Sequence, residues 1–239
     1  MKELNEEQIR INKVLEHEYN VKDKPLTLFP QKLINYLIDE YSLSGKVLDV
    51  MCGRGEHSEA FSRSGLDVWC VDIAESAAQE YKKRNGRLAI CDVGKENFPY
   101  EDDTFDVTFC KSGIEHVNAD HLISEMHRIT KPNGKIVILT LDWWYTYRMH
   151  YIDHTHGYGS PWMKHSLKLI LQTYNFEDIT SKNIYYLSFA FKNKLGKAIC
   201  YLIRNLLPYP YTDNFTNPLW KVIRFSNEVQ IIGVGTKKG

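Results

Sequence analysis

The chain has 239 residues, 43% of them hydrophobic and 25% charged, which is apolar material for one large unit with a full core. Lys plus Arg equals Asp plus Glu at 30 each, which excludes a whole-molecule field that would recruit nucleic acid or an anionic membrane. The opening "MKELNEEQIRINKVLEHEYN" lacks an apolar signal region, no apolar run approaches the ~20 residues that span a bilayer, and Cys52, Cys70, Cys91, Cys110 and Cys200 form no C-x-x-C pair, so a cytoplasmic protein with reduced, buried thiols is expected.

Residues 3–20 and 30–41 space apolar side chains at helical intervals: Leu4, Ile9, Val14 and Leu15, then Leu33, Ile34, Leu37 and Ile38. Residues 1–44 are therefore read as an N-terminal helical cap, with the Pro-bounded connector "KDKPLTLFP" placed to lie over a site. From Gly45 the pattern changes to short β-rich runs alternating with helical stretches. "KVLDVM" precedes a helix near 56–64, "LDVWCVD" a helix near 74–84, and "RLAICD" a loop. "FDVTFCK" precedes a helix near 119–130, and the turn "KPNGK" leads into "GKIVILTL". Strands that are apolar on both faces and separated by helices form a parallel sheet of βαβ units.

After Leu141 comes "DWWYTYRMHYIDHTHGYGSPWM", rich in aromatics and histidine and without a period; its composition suits a lid and argues against disorder. A helix near 164–174, a strand near 178–187, an amphipathic stretch over 194–207 and a last strand in "NEVQIIGVGTKK" follow. The expected fold is α/β, a doubly wound, mostly parallel sheet with helices on both faces. Residues 45–141 are the cofactor-binding core and residues 142–239 the acceptor-side loop, helices and last strands.

Ligands of such sheets bind outside the carboxyl ends of the strands where the strand order reverses. The residues ending each run form one set: Asp49 to Gly55, Asp72 with Ile73, Asp92 with Val93, and Lys111 to His116. In "VLDVMCGRG", Gly53 and Gly55 let the backbone turn sharply beside a ligand, while Met51 stands where many such loops carry a further glycine. Asp72 ends the second strand where an acid can accept both ribose hydroxyl hydrogens of a nucleoside. A dinucleotide is disfavoured, because Ser58 stands where G-x-G-x-x-G needs its last glycine. The bland alternatives are that Asp49 satisfies loop amides, that Asp72 caps a helix, and that Trp143, Trp144, Tyr145 and Tyr147 are packing residues.

The combination of "VLDVMCGRG", "VDI", "CDVGKENFPYEDDTFDVTFC", "IEHV" and "EMHRITKPNGKIVIL" resembles the class I S-adenosylmethionine-dependent methyltransferases over residues 45–141. The resemblance implies a seven-stranded sheet with an antiparallel last strand, S-adenosylmethionine as cofactor and S-adenosylhomocysteine as product. It implies that Asp49, Gly53 and Gly55 shape the pocket for the methionine end, with Met51 altering packing and not binding. It also implies that Asp72 holds the ribose, that Asp92 and Val93 flank the adenine, and that backbone near Lys111 meets the amino acid moiety.

Relatives that methylate quinone precursors carry a further glutamate where this chain has Ser112, and Glu115 with His116 is a poor start for a cation, so no metal is expected. "DHTHGYGSPWMKHSLKLILQTYNF" is similar to a segment of methyltransferases from surface-glycan or natural-product pathways. The expected reaction is O-methylation of a small molecule or sugar-containing metabolite, with N-methylation, a nucleotide-binding oxidoreductase and a non-catalytic cofactor-binding protein as alternatives. His116, His154 and His156 are the candidate bases, since neutral imidazole takes a hydroxyl proton near pH 7. Residues 188–226, with the amphipathic stretch 194–207, are expected in a lid or dimer contact that helps form the acceptor pocket, with a helix packed on the domain or a membrane-surface or lipid-carrier contact as alternatives.

Overall fold

The computed structural model describes residues 27–74, 87–146, 160–207 and 217–239. Helix α1 (Leu28–Tyr41) forms because Leu33, Ile34 and Leu37 recur on one face, and that face is buried. The chain continues through β1 (Lys46–Val50), α2 (Glu56–Arg63), β2 (Asp67–Asp72), β3 (Leu88–Ile90), β4 (Phe105–Lys111), α3 (Ala119–Ile129) and β5 (Thr130–Leu141). The one-turn α4 (Trp143–Thr146), α5 (Lys164–Thr173), β6 (Phe176–Tyr185), α6 (Lys194–Leu206), α7 (Pro218–Asn227) and β7 (Val229–Lys237) follow.

The seven strands form one sheet in the order β3-β2-β1-β4-β5-β7-β6. Strands β1 to β5 pair in parallel, and β7 runs antiparallel to both β5 and β6. Alternation along each strand sends side chains to two separate cores. Val47, Val107, Phe109 and Leu139 meet α1 and α2 on one face, whereas Leu48, Val50, Cys110 and Ile138 meet α3 and α5 on the other. The sheet is thus doubly wound, and its order reverses between β1 and β4, where a crevice opens at the carboxyl ends.

The expected turn at "KPNGK" is present near the start of β5: residues 131–134 loop out between Thr130, opposite Phe105, and Lys135, opposite Val107, with Asn133 at φ 64° and Pro132 and Asn133 exposed. Boundaries elsewhere differ from the sequence reading. Strand β6 begins at Phe176, ahead of the expected 178, because Phe176 and Glu177 already pair with β7. Helix α6 forms where expected, but it buries Gly196 and Cys200 and leaves its leucines exposed. The five cysteines are buried and in no disulfide. The expected helices at 3–20 and 74–84, most of the connector, most of the aromatic loop, and His154 and His156 lie outside the described residues.

Within the resembling segment, "EMHRITKPNG" does structural work. Arg128 binds Glu125 through Nη2 (2.7 Å) and Nε (2.9 Å), Asp102 through Nη1 (2.8 Å), and the carbonyls of Phe98 and Tyr100. Glu125 in turn accepts the Phe98 amide at 2.7 Å. This fork ties α3 to the loop entering β4 and so fixes the strand whose end carries Lys111.

Candidate functional site

The loop from β1 to α2 is built from left-handed backbone. Met51, Gly53 and Gly55 have φ of 57°, 52° and 73°. Glycine adopts this region without penalty; a methionine there costs about 1–2 kcal/mol. Met51 is held by its amide, which donates to the Val71 carbonyl at 2.8 Å, and by its side chain, which packs on the core that contains α3. Its Sδ lies over Gly113, where an added Cβ would come within 2.7 Å. A glycine beyond β4 therefore makes room for the methionine that replaces the expected glycine of the loop.

Two buried carboxylates frame this loop. Asp72 accepts the Gly53 amide on Oδ2 and the Ala74 amide on Oδ1, each at 2.9 Å. Beyond its amide bonds the carboxylate keeps lone-pair capacity for a ligand. Burial raises its pKa, and the amides of Ala74, Gly53 and Ile73 hold it back. Asp49 accepts the Ser58 hydroxyl at 2.5 Å, and burial pushes its carboxyl up to about 7 against that hydrogen bond, with the nearby Asp72 charge adding to the rise. Asp92 accepts the Gly94 amide at 3.2 Å and faces Lys95 at 3.8 Å, closing a turn, while Val93 is buried in the core and Ile73 is half-buried.

Next to the loop lies a cavity of about 840 Å³. Arg54 and Glu56 line it at the start of α2, and Lys111, Ser112, Glu115 and His116 line it beyond β4. Asp49, Asp72 and Asp92 do not line it. One wall is a stack of rings: Phe29 on Tyr186 at 4.1 Å between centroids and 9° between planes, and Tyr186 on Phe225 at 5.2 Å and 25°. The Lys111 ammonium stands 5.6 Å from the Tyr186 centroid. Burial lowers the Lys111 pKa, while the carboxylates of Glu115, Glu228 and Glu56 pull it back up. Burial pushes the Tyr186 hydroxyl up to about 12, reinforced by Glu228 and Glu56. Glu115 is positioned twice: its Oε2 accepts from Thr140 Oγ1 at 2.9 Å and its carbonyl accepts the Ser160 amide at 2.9 Å.

Residues 48–138 match a family model described as a methyltransferase domain. That match spans less than half of the chain. The fold and the motif set of this methyltransferase domain are those of the class I S-adenosylmethionine-dependent enzymes. Among curated proteins, demethylmenaquinone methyltransferase of Renibacterium salmoninarum is 33% identical over 94 residues, covering 39% of this chain and 40% of that protein. The ubiquinone/menaquinone biosynthesis C-methyltransferase UbiE of Burkholderia mallei is 32% identical over 105 residues, covering 40% of this chain and 42% of that protein. The chain thus matches about two fifths of the length of these relatives. Among solved structures, 1,6-didemethyltoxoflavin-N1-methyltransferase of Burkholderia thailandensis, with bound 1,6-didemethyltoxoflavin and S-adenosylhomocysteine, superposes over 100% of this chain and 93% of its own. Its TM-score is 0.63 at 15% identity, a likeness of fold.

The methyltransferase domain brings most of the expected residues to one rim: the glycine loop, Asp72, Lys111 and His116 all lie at the carboxyl ends of β1, β2 and β4. Sequence reasoning missed Tyr186, Phe225, Arg224 and Glu228. Tyr186 follows β6, which runs in the same direction as the parallel strands, and Glu228 precedes the antiparallel β7, so both arrive at the same rim. The rule that locates sites at strand ends would have found them once the last two strands were given directions. Among the described residues no three His, Cys, Asp or Glu side chains are grouped to hold a metal ion.

Proposed function

We propose that the chain is an S-adenosylmethionine-dependent methyltransferase whose acceptor is a hydroxylated, ring-bearing small molecule, aromatic or sugar-containing, held in the 840 Å³ cavity. The observation that carries this reading is the placement of the cavity: it runs from the glycine loop to the end of β4, under the ring wall, within a methyltransferase domain. Residues 45–141 serve the cofactor, and the helices and strands after residue 142 shape the acceptor side.

The residues fit the cofactor. Asp72 would accept from the ribose hydroxyls, the loop at Asp49, Met51, Gly53 and Gly55 would offer backbone to the methionine end, and backbone at Lys111 would meet its amino acid moiety. Ile73, Asp92 and Val93 would border the adenine. Two buried carboxylates offset positive charge in a low-dielectric place. When bound, S-adenosylmethionine supplies a methyl group already activated by its sulfonium. The chain's own work is therefore to position the acceptor, exclude water and take a proton. Tyr186, stacked between Phe29 and Phe225, turns its edge and not a face to the cavity, so the stack gives a ring an apolar wall. His116 is the candidate base for a hydroxyl, with Lys111 placed to stabilise an oxyanion.

The first reading is O-methylation. C-methylation of a hydroxylated ring is the second, favoured by the names of the curated relatives, and it uses the same oxyanion and the same wall. The test is incubation with methyl-labelled S-adenosylmethionine and a panel of phenols, quinols and sugar-bearing metabolites, with the methylated atom assigned by NMR. Labelled ether or ring-methyl products support the reading. Exclusive transfer to amines, or cofactor binding without transfer to any ring acceptor, overturns it.

A further inference from the structure

We propose that α6 docks this protein on an anionic lipid surface and that the acceptor cavity is loaded from that surface. Leu195, Ile199, Leu202 and Leu206 recur at one helical face, and they are 69%, 41%, 53% and 73% exposed. The face that α6 turns to the protein is a different one, made of Gly196 and Cys200. Gly196 lets the helix lie against Phe189 and Ala190, since a Cβ there would meet the Phe189 carbonyl at 2.8 Å. The apolar stripe is thus surplus to the fold. Isolated exposed leucines need no explanation, but a stripe of four along one helix marks a contact surface.

Charge identifies the occupant. Helix α6 has no acidic residue and carries the exposed Lys194 and Lys197 off the stripe, while Arg204 is held over the Tyr145 ring at 4.3 Å. A short helix with an apolar stripe and a basic polar face lies in the headgroup region of an anionic bilayer, stripe inward. The surface is also continuous with the cavity. Phe189, which α6 packs against, lines the cavity and is 47% exposed, and Leu28, another lining residue, is 76% exposed. An apolar rim of this kind admits an apolar acceptor from a bilayer without passage through water. Docking itself is independent of the reaction; only its purpose rests on the proposed function.

The test is sedimentation of the full chain, without any methyl donor, with vesicles of phosphatidylcholine alone and of phosphatidylcholine mixed with phosphatidylglycerol. The wild type should bind the anionic vesicles at least tenfold more tightly. Ile199→Gln with Leu202→Gln and Leu206→Gln, all at exposed sites and checked for fold by circular dichroism, should lose tenfold or more. Lys194→Gln with Lys197→Gln should lose about fivefold per lysine. Absent binding, or binding unchanged by the apolar substitutions, overturns the proposal. So does a lipid-free dimer that those substitutions dissociate, because the stripe is then a self-association face. Methyl transfer that fails on every ring acceptor while anionic vesicles still bind would sink the proposed function and leave the docking intact.

Discussion

Met51 occupies a left-handed backbone at φ 57°, and its Sδ fills the space above Gly113 that a Cβ would otherwise claim. The two residues are complementary across the ends of β1 and β4, so neither tolerates change alone. Gly113→Ala should cost about 1–3 kcal/mol by overpacking. In a Met51→Gly background the same substitution should cost about 1 kcal/mol less, with a remainder from Cys110, whose Sγ would lie 2.8 Å from the new methyl. Urea unfolding of the four proteins of this cycle measures the coupling; additive costs would show that Met51 does not depend on Gly113.

The cofactor-binding half was legible because its strands are buried on both faces and therefore read as apolar runs. "VLDV" and "FDVTFC" fall in β1 and β4 as expected, and the glycine loop lies where it must once β1 ends. The acceptor half was less legible, for two physical reasons. Tyr186, Phe225 and Glu228 reach the cavity through strand directions near the end of the chain, and no local pattern marks them. For α6 the period was readable but the buried face was not. Two small residues, Gly196 and Cys200, decide it by permitting close approach, against the preference of four larger apolar ones for burial.

Asp49 makes stability depend on pH. Its folded pKa of about 7 stands above the ordinary carboxylate value of 3.8, so the protonated form is favoured by folding. Its contribution is fully present below about pH 4 and is lost as pH rises through 7. Asp49→Asn removes this term. Between pH 4.5 and 8 the wild type should lose several kcal/mol relative to the variant, at about 1.4 kcal/mol per unit of pKa shift. Unfolding curves at the two pH values measure the difference, which cancels the carboxylates common to both. Parallel pH dependence in the two proteins would place an ordinary carboxyl at Asp49.

Asp72 is tied to Gly53 and Ala74 and still has lone pairs for a ligand. Asp72→Ala should weaken S-adenosylmethionine binding by one to two orders of magnitude, about 1.5–3 kcal/mol. Asp72→Asn keeps one acceptor oxygen and should fall between the two. Calorimetry on folded variants reads both, and unchanged affinity in the Ala variant would remove Asp72 from the site.

His116 is the one of the three candidate histidines within the described residues, and it lines the cavity beside Glu115. If a hydroxyl loses its proton to this imidazole, the rate should rise with pH and level off once the imidazole is neutral. His116→Ala should lower kcat about a hundredfold and leave the affinity for S-adenosylmethionine unchanged. His154→Ala and His156→Ala, made in parallel, show whether the base lies instead in "DHTH". Glu115→Gln separates a further possibility: Thr140 and the Ser160 amide already fix that residue, so a loss confined to this variant would assign the proton to its carboxylate. Near-normal rates in all three histidine variants would mean that the acceptor ionises unaided, with Lys111 stabilising the oxyanion, and that the protein contributes mainly position.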